Sequence, residues 1–368
     1  MSVKNNIRKR IESKELELSP YAQRSADSAG RKRPEESCGL RTNFQRDRDR
    51  IIHSKAFRRL KHKTQVFISP QGDHYVTRLT HTLEVSQIAR TISRSLNLNE
   101  DLTEAIALGH DLGHTPFGHV GEDEMDVLIR GDGEPASGFR HAWQSLRVVE
   151  VIEREGMGLN LTEEVRNGIK NHSKPKGDFM SPDMVEGLSL EAQIVRISDA
   201  VAYLNHDLLD AFRADILSPD DLPDSIFAKL GASHGERIDT IVNDIVKESW
   251  EVSGIIEPGI NEVSCNGLIK MSLSVRDVVN EFRNFMFKNV YMPEDKGEQG
   301  LAARAIIRLL FNYYSQNPDS IPSQYSRINS SQQQAIVDYI SGMTDQYAIN
   351  TAESMDKGIG SALYKGVS

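Results

Sequence analysis

The spacing of apolar residues constrains the fold of this 368-residue chain more than any other feature, because it follows steps of three and four from about residue 45 onward. Such steps place side chains on one face of an α-helix, whereas strands require alternation. The clearest run, with the spacing 4-3-4-3-4, consists of Leu190, Ile194, Ile197, Val201, Leu204 and Leu208. A second run consists of Leu79, Leu83, Ile88, Ile92 and Leu96. The pattern predicts an all-α protein, in which residues 64–78 form at most a small hairpin.

Composition divides the chain into four predicted segments. Residues 1–40 mix charge with Ser, Pro and Gly, which predicts an N-terminal arm rather than a packed element. A helical core is expected over residues 41–215. The sequence loosens around residues 213–233, and additional C-terminal helices are expected over residues 216–345. Residues 346–368, with three glycines near the end, are expected to form a lightly ordered tail.

Cysteine use and charge narrow the function classes. The two cysteines, Cys38 and Cys265, provide neither a disulfide framework nor a cysteine zinc cluster, which favours a reducing, cytoplasmic location. The N-terminus has no apolar signal region, and no uncharged apolar run reaches about 18 residues, so no membrane association is expected. The formal net charge of −9 predicts no general attraction to nucleic acid.

Histidines are concentrated in one stretch of the chain. Four of the 11 lie between residues 81 and 119, namely His81, His110, His114 and His119. The string HDLGHTPFGHVGED combines three His with two Asp and one Glu. Without cysteine ligands, a divalent ion is usually held by imidazole nitrogen and carboxylate oxygen. The stretch is therefore a candidate metal site.

The adjacent pair His110-Asp111 suits one metal ion best near the end of a helix, which Gly109 and Gly113 permit. Asp199, on the long predicted helix, is a candidate for a fourth ligand. The alternatives are that a single buried histidine is a hydrogen-bonded core residue and that Asp199 is a solvated helix residue. The concentration of imidazoles favours the metal interpretation over both.

These residues resemble the H…HD…D pattern of the HD-domain metallophosphohydrolases. The strings TRLTHTLEVSQIARTISRSL, HDLGHTPFGHVGED and RISDAVAYLNHD are similar to the dGTPase-like deoxynucleoside triphosphate triphosphohydrolases. The resemblance extends from about residue 19 to 212 and continues more weakly beyond. It implies an all-α HD-domain helical fold with additional C-terminal helices. It also implies an enzyme that hydrolyses a dGTP-like dNTP to deoxynucleoside and inorganic triphosphate, through water attack on the α-phosphorus.

The resemblance implies a role for each residue that matches the family's pattern. The residues implied to hold a divalent ion (manganese, magnesium or iron) are His81, His110, Asp111 and Asp199. His119 and Glu122 match the catalytic pair, in which a carboxylate fixes the tautomer of the imidazole and raises its basicity. The alternative for Glu122 is a carboxylate that interacts favourably with a helix N-terminus.

Five further residues match substrate-binding positions of the family. Arg78 matches a phosphate-contacting arginine, and by itself is interpreted as a surface cation. Gln65 matches a glutamine that binds the deoxyribose. Tyr203 and Asp207 match residues on the sugar and phosphate side of the nucleotide. His114 is implied to contact the substrate or a metal ligand, and direct metal ligation is the alternative.

Nine Lys or Arg residues in the segment 41–63 form a local basic stretch. This segment is suited to a triphosphate, as substrate or regulatory dNTP, or to single-stranded nucleic acid. The alternative is a solvated helix whose charges pair with Asp47 and Asp49. The resemblance is also consistent with a homo-oligomer, such as a hexamer.

Two other function classes remain open from the sequence. One is a different HD phosphohydrolase, which acts on nucleoside monophosphates or as a cyclic nucleotide phosphodiesterase. The other is a nucleotide- or nucleic-acid-binding regulator whose HD residues are only structural.

Overall fold

The computed structural model describes residues 4–68, 75–130, 138–173, 185–255 and 267–364. Within these ranges, the regular structure is helical except for two isolated β-bridges, Arg31 with Thr162 and Thr64 with Thr77. The all-α prediction is therefore confirmed, and the hairpin expected over residues 64–78 is represented by a single bridge. No described helix is both long enough and apolar enough to cross a membrane.

The α-helices of the described residues are between 5 and 24 residues long. In chain order they are α1 (Lys4–Lys14), α2 (Asn43–Ile52), α3 (Lys55–Arg59), α4 (Arg78–Ser95), α5 (Glu100–Gly109), α6 (Gly118–Arg130), α7 (His141–Arg147), α8 (Glu163–Asn171), α9 (Leu190–Arg213), α10 (Asp224–Leu230), α11 (His234–Glu248), α12 (Leu273–Met286), α13 (Met292–Lys296), α14 (Glu298–Gln316), α15 (Ser323–Ile328), α16 (Gln332–Ser341) and α17 (Asp345–Met355).

The chain forms two compact units, each assembled from separate stretches. The first unit comprises Met1–Ile52, Thr82–His110 and Asn160–Phe285, and the second comprises His53–His81, Asp111–Leu159 and Met286–Ser368. The boundaries of these units differ from the segment boundaries expected from composition. The four segments stay predictions.

Helix α5 occupies the centre of the first unit, where it packs against α2, α8 and α9. The long apolar run predicted from sequence lies on α9, and all six of its residues are buried. Ser189 caps this helix by accepting a hydrogen bond from the Ala192 N–H. The second predicted run lies on α4, except for Leu96, which directly follows that helix, and its face is only partly buried because Leu83 is 51% exposed.

The N-terminal residues expected to form an arm are hydrogen-bonded into the first unit. The Gln23 N–H donates to Glu191 Oε1 at 3.0 Å. Arg31 pairs with Asp47, whose side chain is completely buried. Polar groups of this segment pair with buried carboxylates and thereby order the segment. Composition alone does not predict this pairing.

In the second unit, α14 packs against α6, α16 and α17. The predicted tail forms part of this packing, because α17 extends to Met355 and buries Ala348, Ile349 and Ala352. These three residues lie on one helix face and therefore contribute apolar area to the core.

Gly113 allows two backbone segments of the second unit to approach closely. A Cβ atom at this position would lie 2.1 Å from Ser145 N and 2.3 Å from Gln144 C. The Gly113 N–H donates to Ser145 Oγ at 2.8 Å, which fixes the approach. The glycine therefore sets the position of residues 111–114 against α7.

We expect Gly113→Ala to lower the free energy of unfolding by about 1–3 kcal/mol, because the added methyl meets backbone atoms that cannot rotate away. Gly235→Ala in α11 is the matched control, since nothing lies within 4 Å of its Cβ position. This control is expected to be neutral, or stabilising by up to ~1 kcal/mol through helix propensity. Urea denaturation of both variants measures the difference, and equal stabilities would contradict the close approach.

Candidate active site

Asp111 is the centre of a buried charge cluster in the second unit. Its side chain is nearly inaccessible, and Arg78 Nη1 donates to Asp111 Oδ2 at 2.7 Å. The two nearby imidazoles are His114, whose Nε2 lies 3.3 Å from Oδ1, and His81, whose Nε2 lies 3.9 Å from Oδ2. Arg78 is 1% exposed, so its interpretation as a surface cation is wrong. The guanidinium instead orients a predicted metal ligand.

His110 and Asp199 form the corresponding group of the first unit. His110 ends α5, and its Nδ1 lies 2.7 Å from the Ala107 carbonyl oxygen. This hydrogen bond places the proton on Nδ1 and the lone pair on Nε2, as required of a metal ligand. Asp199 on α9 offers a carboxylate oxygen within 4.8 Å of the His110 ligand nitrogen.

His172 lies beside His110 in the first unit. The two rings meet edge to face with centroids 4.9 Å apart. His172 Nδ1 lies 2.7 Å from the Ile169 carbonyl oxygen, which fixes the same tautomer as in His110. Sequence reasoning did not single out His172, because a lone histidine at a helix end carries no spacing signal.

The chemistry of the predicted ligands fits a divalent cation. The four predicted ligands are two imidazoles and two carboxylates. Nitrogen and oxygen donors without thiolate suit manganese, magnesium or iron. His110 is oriented by a backbone carbonyl and Asp111 by Arg78, as the ligands of metal sites usually are.

The predicted catalytic pair lies together near the start of α6. His119 Nδ1 is 3.5 Å from Glu122 Oε2, and the His119 side chain is 62% exposed whereas that of Glu122 is 14% exposed. His141 at the start of α7 fixes the carboxylate, because its Nδ1 lies 2.8 Å from Glu122 Oε2. Its backbone N–H donates to Glu122 Oε1 at 2.9 Å. Sequence reasoning missed His141, since it follows Glu122 by 19 residues and no helical period connects them.

Electrostatic effects separate the protonation states of these groups. Burial raises the pKa of Glu122, but the charge of His141 and the hydrogen bonds from both histidines hold this pKa well below its usual range. Desolvation lowers the pKa of His119, yet the hydrogen bond and charge of Glu122 raise it overall. Burial and the charge of Arg78 hold the pKa of His114 well below its usual value. His119 is therefore more readily protonated than His114, which is neutral.

His114 and His141 stack with ring centroids 3.9 Å apart and planes inclined by 13°. Together with Asp111, they offer ligand atoms within 4.8 Å of one another. The lone pairs of an imidazole lie in the ring plane, so two stacked parallel rings cannot both point at one ion. This geometry excludes joint ligation by His114 and His141 and favours contact of His114 with the substrate or with Asp111.

In the first unit, α9 places Tyr203 and Asp207 one and two turns after Asp199. Burial raises the pKa of Tyr203, as do the Asp199 and Asp207 carboxylates, while a hydrogen bond with Arg283 opposes them. Tyr203 therefore remains a neutral hydroxyl. His206 Nδ1 lies 2.8 Å from Asp207 Oδ1. Arg283 on α12 was not singled out from sequence, because its 80-residue separation from Tyr203 carries no pattern.

Gln65 lies in the second unit and is 7% exposed. Its backbone carbonyl accepts a hydrogen bond from Arg78 Nη2 at 3.4 Å. Its side-chain Oε1 is buried and has no hydrogen-bond donor among the described residues. A buried acceptor of this kind is costly unless a ligand or water supplies the donor.

Acidic side chains pair with four arginines in the first part of the basic segment 41–63, namely Arg41, Arg46, Arg48 and Arg50. Arg41 donates to Asp49 Oδ2 at 2.5 Å, and Arg50 donates to both oxygens of Glu35 at 2.8 Å. Further partners, for Arg48, are Asp49, Asp101 and Glu104. For residues 41–52, which belong to the first unit, these pairs favour the alternative of a charge-paired helix, with Asp49 as a partner but with Asp47 paired to Arg31.

Two family models match the chain in the regions just described. The HD domain matches residues 78–204, and the phosphohydrolase-associated domain matches residues 269–354. The fold and the site therefore define a hydrolase of the HD class.

Curated relatives narrow this class further. A deoxyguanosinetriphosphate triphosphohydrolase-like protein from Caldanaerobacter subterraneus subsp. tengcongensis is 52% identical over 90% of both chains. A protein of the same name from Desulfatibacillum aliphaticivorans is 48% identical over 93% of this chain and 96% of the relative. Another from Bordetella pertussis is 41% identical over 90% of this chain and 94% of the relative. The chain belongs to the family of deoxyguanosinetriphosphate triphosphohydrolase-like proteins, which confirms the resemblance seen in its sequence.

We expect Glu122→Gln to lower the pKa of His119, because the carboxylate that stabilises the imidazolium is replaced by a neutral amide. NMR titration of selectively labelled histidine, with His119→Ala used for assignment, measures the shift. Glu124→Gln on the same helix is the matched control, since Glu124 pairs with Arg308 instead. An unchanged His119 titration in Glu122→Gln would show that the two groups do not interact in solution.

Proposed function

We propose that the protein hydrolyses a dGTP-like deoxynucleoside triphosphate to the deoxynucleoside and inorganic triphosphate, through attack of water on the α-phosphorus. The observation that carries the hydrolytic chemistry is Glu122, which is fixed by His141 and lies 3.5 Å from His119 Nδ1. The substrate class is inferred from the names of the relatives.

The proposed metal ligands are His81, His110, Asp111 and Asp199. When bound, a divalent ion polarises phosphoryl oxygens and lowers the pKa of water. Arg78 has two roles in this proposal, because it orients Asp111 and adds positive charge beside the polyphosphate. The buried position of Arg78 makes its charge less screened by solvent than that of a surface arginine.

His119 is proposed to donate the proton that the 5′ oxygen requires when its bond to the α-phosphorus breaks. The carboxylate of Glu122 favours the protonated imidazole, and the exposed ring of His119 is accessible to substrate. A general acid works best when its pKa lies near the working pH, so raising the pKa of a histidine suits this role. Once His119 has given up its proton, the attacking water supplies the replacement.

The remaining predicted residues are assigned to substrate binding. Gln65 is proposed to accept a hydrogen bond from the deoxyribose hydroxyl, since its buried oxygen has no described donor. Tyr203 and Asp207 are proposed to contact the sugar and phosphates, and His114 the phosphates. The homo-oligomer, the cytoplasmic location and a regulatory dNTP or single-stranded nucleic acid partner stay predictions from sequence.

We expect incubation of the protein with dGTP and Mn²⁺ or Mg²⁺ to release deoxyguanosine and inorganic triphosphate in equal amounts. In water enriched in ¹⁸O, one label should enter the triphosphate and none the nucleoside, because water attacks phosphorus rather than carbon. Anion-exchange chromatography with mass spectrometry measures both. Pyrophosphate or orthophosphate as the primary product would instead support another HD phosphohydrolase, and absence of hydrolysis would support a binding regulator.

We expect His119→Ala to lower kcat by about 10²–10⁴-fold, because general acid catalysis typically contributes this much. Metal content per chain should not change, since His119 is not a proposed ligand. His62→Ala is the matched control, because this histidine is exposed and lies outside the proposed site. Unaltered hydrolysis by His119→Ala with metal bound would refute the assigned role.

A further inference from the structure

The turn that leads into α6 has an unfavourable backbone conformation. Phe117 has φ 63° and Gly118 has φ 56°, so two successive residues lie in the left-handed region. For a residue with a side chain this conformation costs about 1–2 kcal/mol, and it persists only where surrounding interactions fix it. The turn directly precedes His119, so its conformation decides where the proposed acid and Glu122 lie.

Asp345 fixes this turn from another part of the second unit. As the first residue of α17, it accepts a hydrogen bond from the Phe117 N–H through Oδ1 at 3.1 Å. Its Oδ2 accepts from the Thr64 N–H at 2.8 Å, directly before Gln65. One carboxylate therefore joins the left-handed turn to the segment that carries a proposed substrate-binding residue.

Lys63 contacts the backbone shortly before the same turn, at His114. Its side chain is 2% exposed, and its Nζ donates to the carbonyl oxygens of His114 and, at 2.6 Å, of Ser341. A buried ammonium is costly unless it is hydrogen-bonded and balanced by an opposite charge. Burial lowers the pKa of Lys63 to about 7, and the carboxylate of Asp345 is the strongest opposing influence.

We propose that Lys63 and Asp345 form a brace that positions His114 and His119 for the proposed hydrolysis. The inference rests on that proposed function. Both are positioning residues, because their hydrogen bonds reach backbone atoms of residues 114 and 117. Ser341 and Asp345 belong to the region matched by the phosphohydrolase-associated domain. The proposed brace therefore gives this region a role in catalysis.

The brace predicts a specific kinetic signature. The two hydrogen bonds that Asp345 accepts come from Thr64 and Phe117, which are not proposed metal ligands, so loss of the brace should leave bound metal unchanged. Misplacement of the acid should lower kcat, since catalysis depends on alignment of the reacting groups. KM should change less than kcat, because His114 and Gln65 are only two of the proposed substrate contacts.

Asp345→Asn tests the brace most directly. An asparagine can keep one N–H partner with its carbonyl oxygen, but its amide NH₂ then faces the second N–H donor, and Lys63 loses its opposing charge. We expect kcat for dGTP to fall at least tenfold, with a smaller change in KM and with metal content unchanged. Hydrogen exchange measured by mass spectrometry should become faster in peptides that cover residues 111–122.

Asp47→Asn is the matched control, because Asp47 is also a carboxylate that accepts from a backbone N–H and balances a cation, but it lies in the first unit, outside the proposed site. We expect it to reduce stability while kcat stays within twofold of the wild type. Lys63→Met is a second variant of similar length, and it should reproduce the loss of kcat and the faster exchange if Asp345→Asn does not fold.

Several results would overturn the brace. These are kcat within twofold of the wild type in the folded brace variants, unchanged exchange over residues 111–122, or an equal loss of kcat in Asp47→Asn. Failure of the proposed function is distinguishable, because it appears as absence of triphosphate release by the wild type. The exchange measurements test the brace in that case as well.

Discussion

The buried ion pair between Arg78 and Asp111 imposes the constraint on which the rest of the site depends. A carboxylate removed from water must be paired, and Arg78 meets this requirement at 2.7 Å. The same guanidinium contacts the Gln65 carbonyl and lies against Gly118, where a Cβ would come within 3.2 Å of Nη2. The pair therefore restricts the position of the Gln65 segment and of the first residues of α6. The start of α6 in turn determines where His119 and Glu122 lie.

Environment rather than residue type divides the work among the histidines. His114 is buried beside the positive charge of Arg78, so it remains neutral. His119 lies next to Glu122, whose negative charge is maintained by His141, so it gains a proton more readily. Groups of the same type whose environments separate their pKa values are suited to different tasks, which agrees with a substrate contact for one and an acid for the other.

Local periodicity predicted those features that depend on neighbours in the chain. The apolar face of α9 was found from its spacing, and the HD pair was found from its composition and its helix end. Leu83 shares this kind of spacing on α4 but is exposed, because periodicity identifies a face without showing how far the core extends along it. His141 and Asp345 were missed since their partners are 19 and 228 residues away. Lys63 was counted as one of nine basic residues, although burial gives it a different role.

The C-terminal helices connect apolar packing to the chemistry of the proposed site. Ala348, Ile349 and Ala352 are buried on one face of α17, and this packing fixes the position of the helix in the second unit. Because Asp345 is the first residue of that helix, its carboxylate is held rigidly enough to bind two backbone N–H groups. The hydrophobic effect thus supplies the free energy that keeps Phe117 left-handed. The region matched by the HD domain includes the proposed ligands and the proposed acid, but the position of that acid depends on packing more than 200 residues later in the chain.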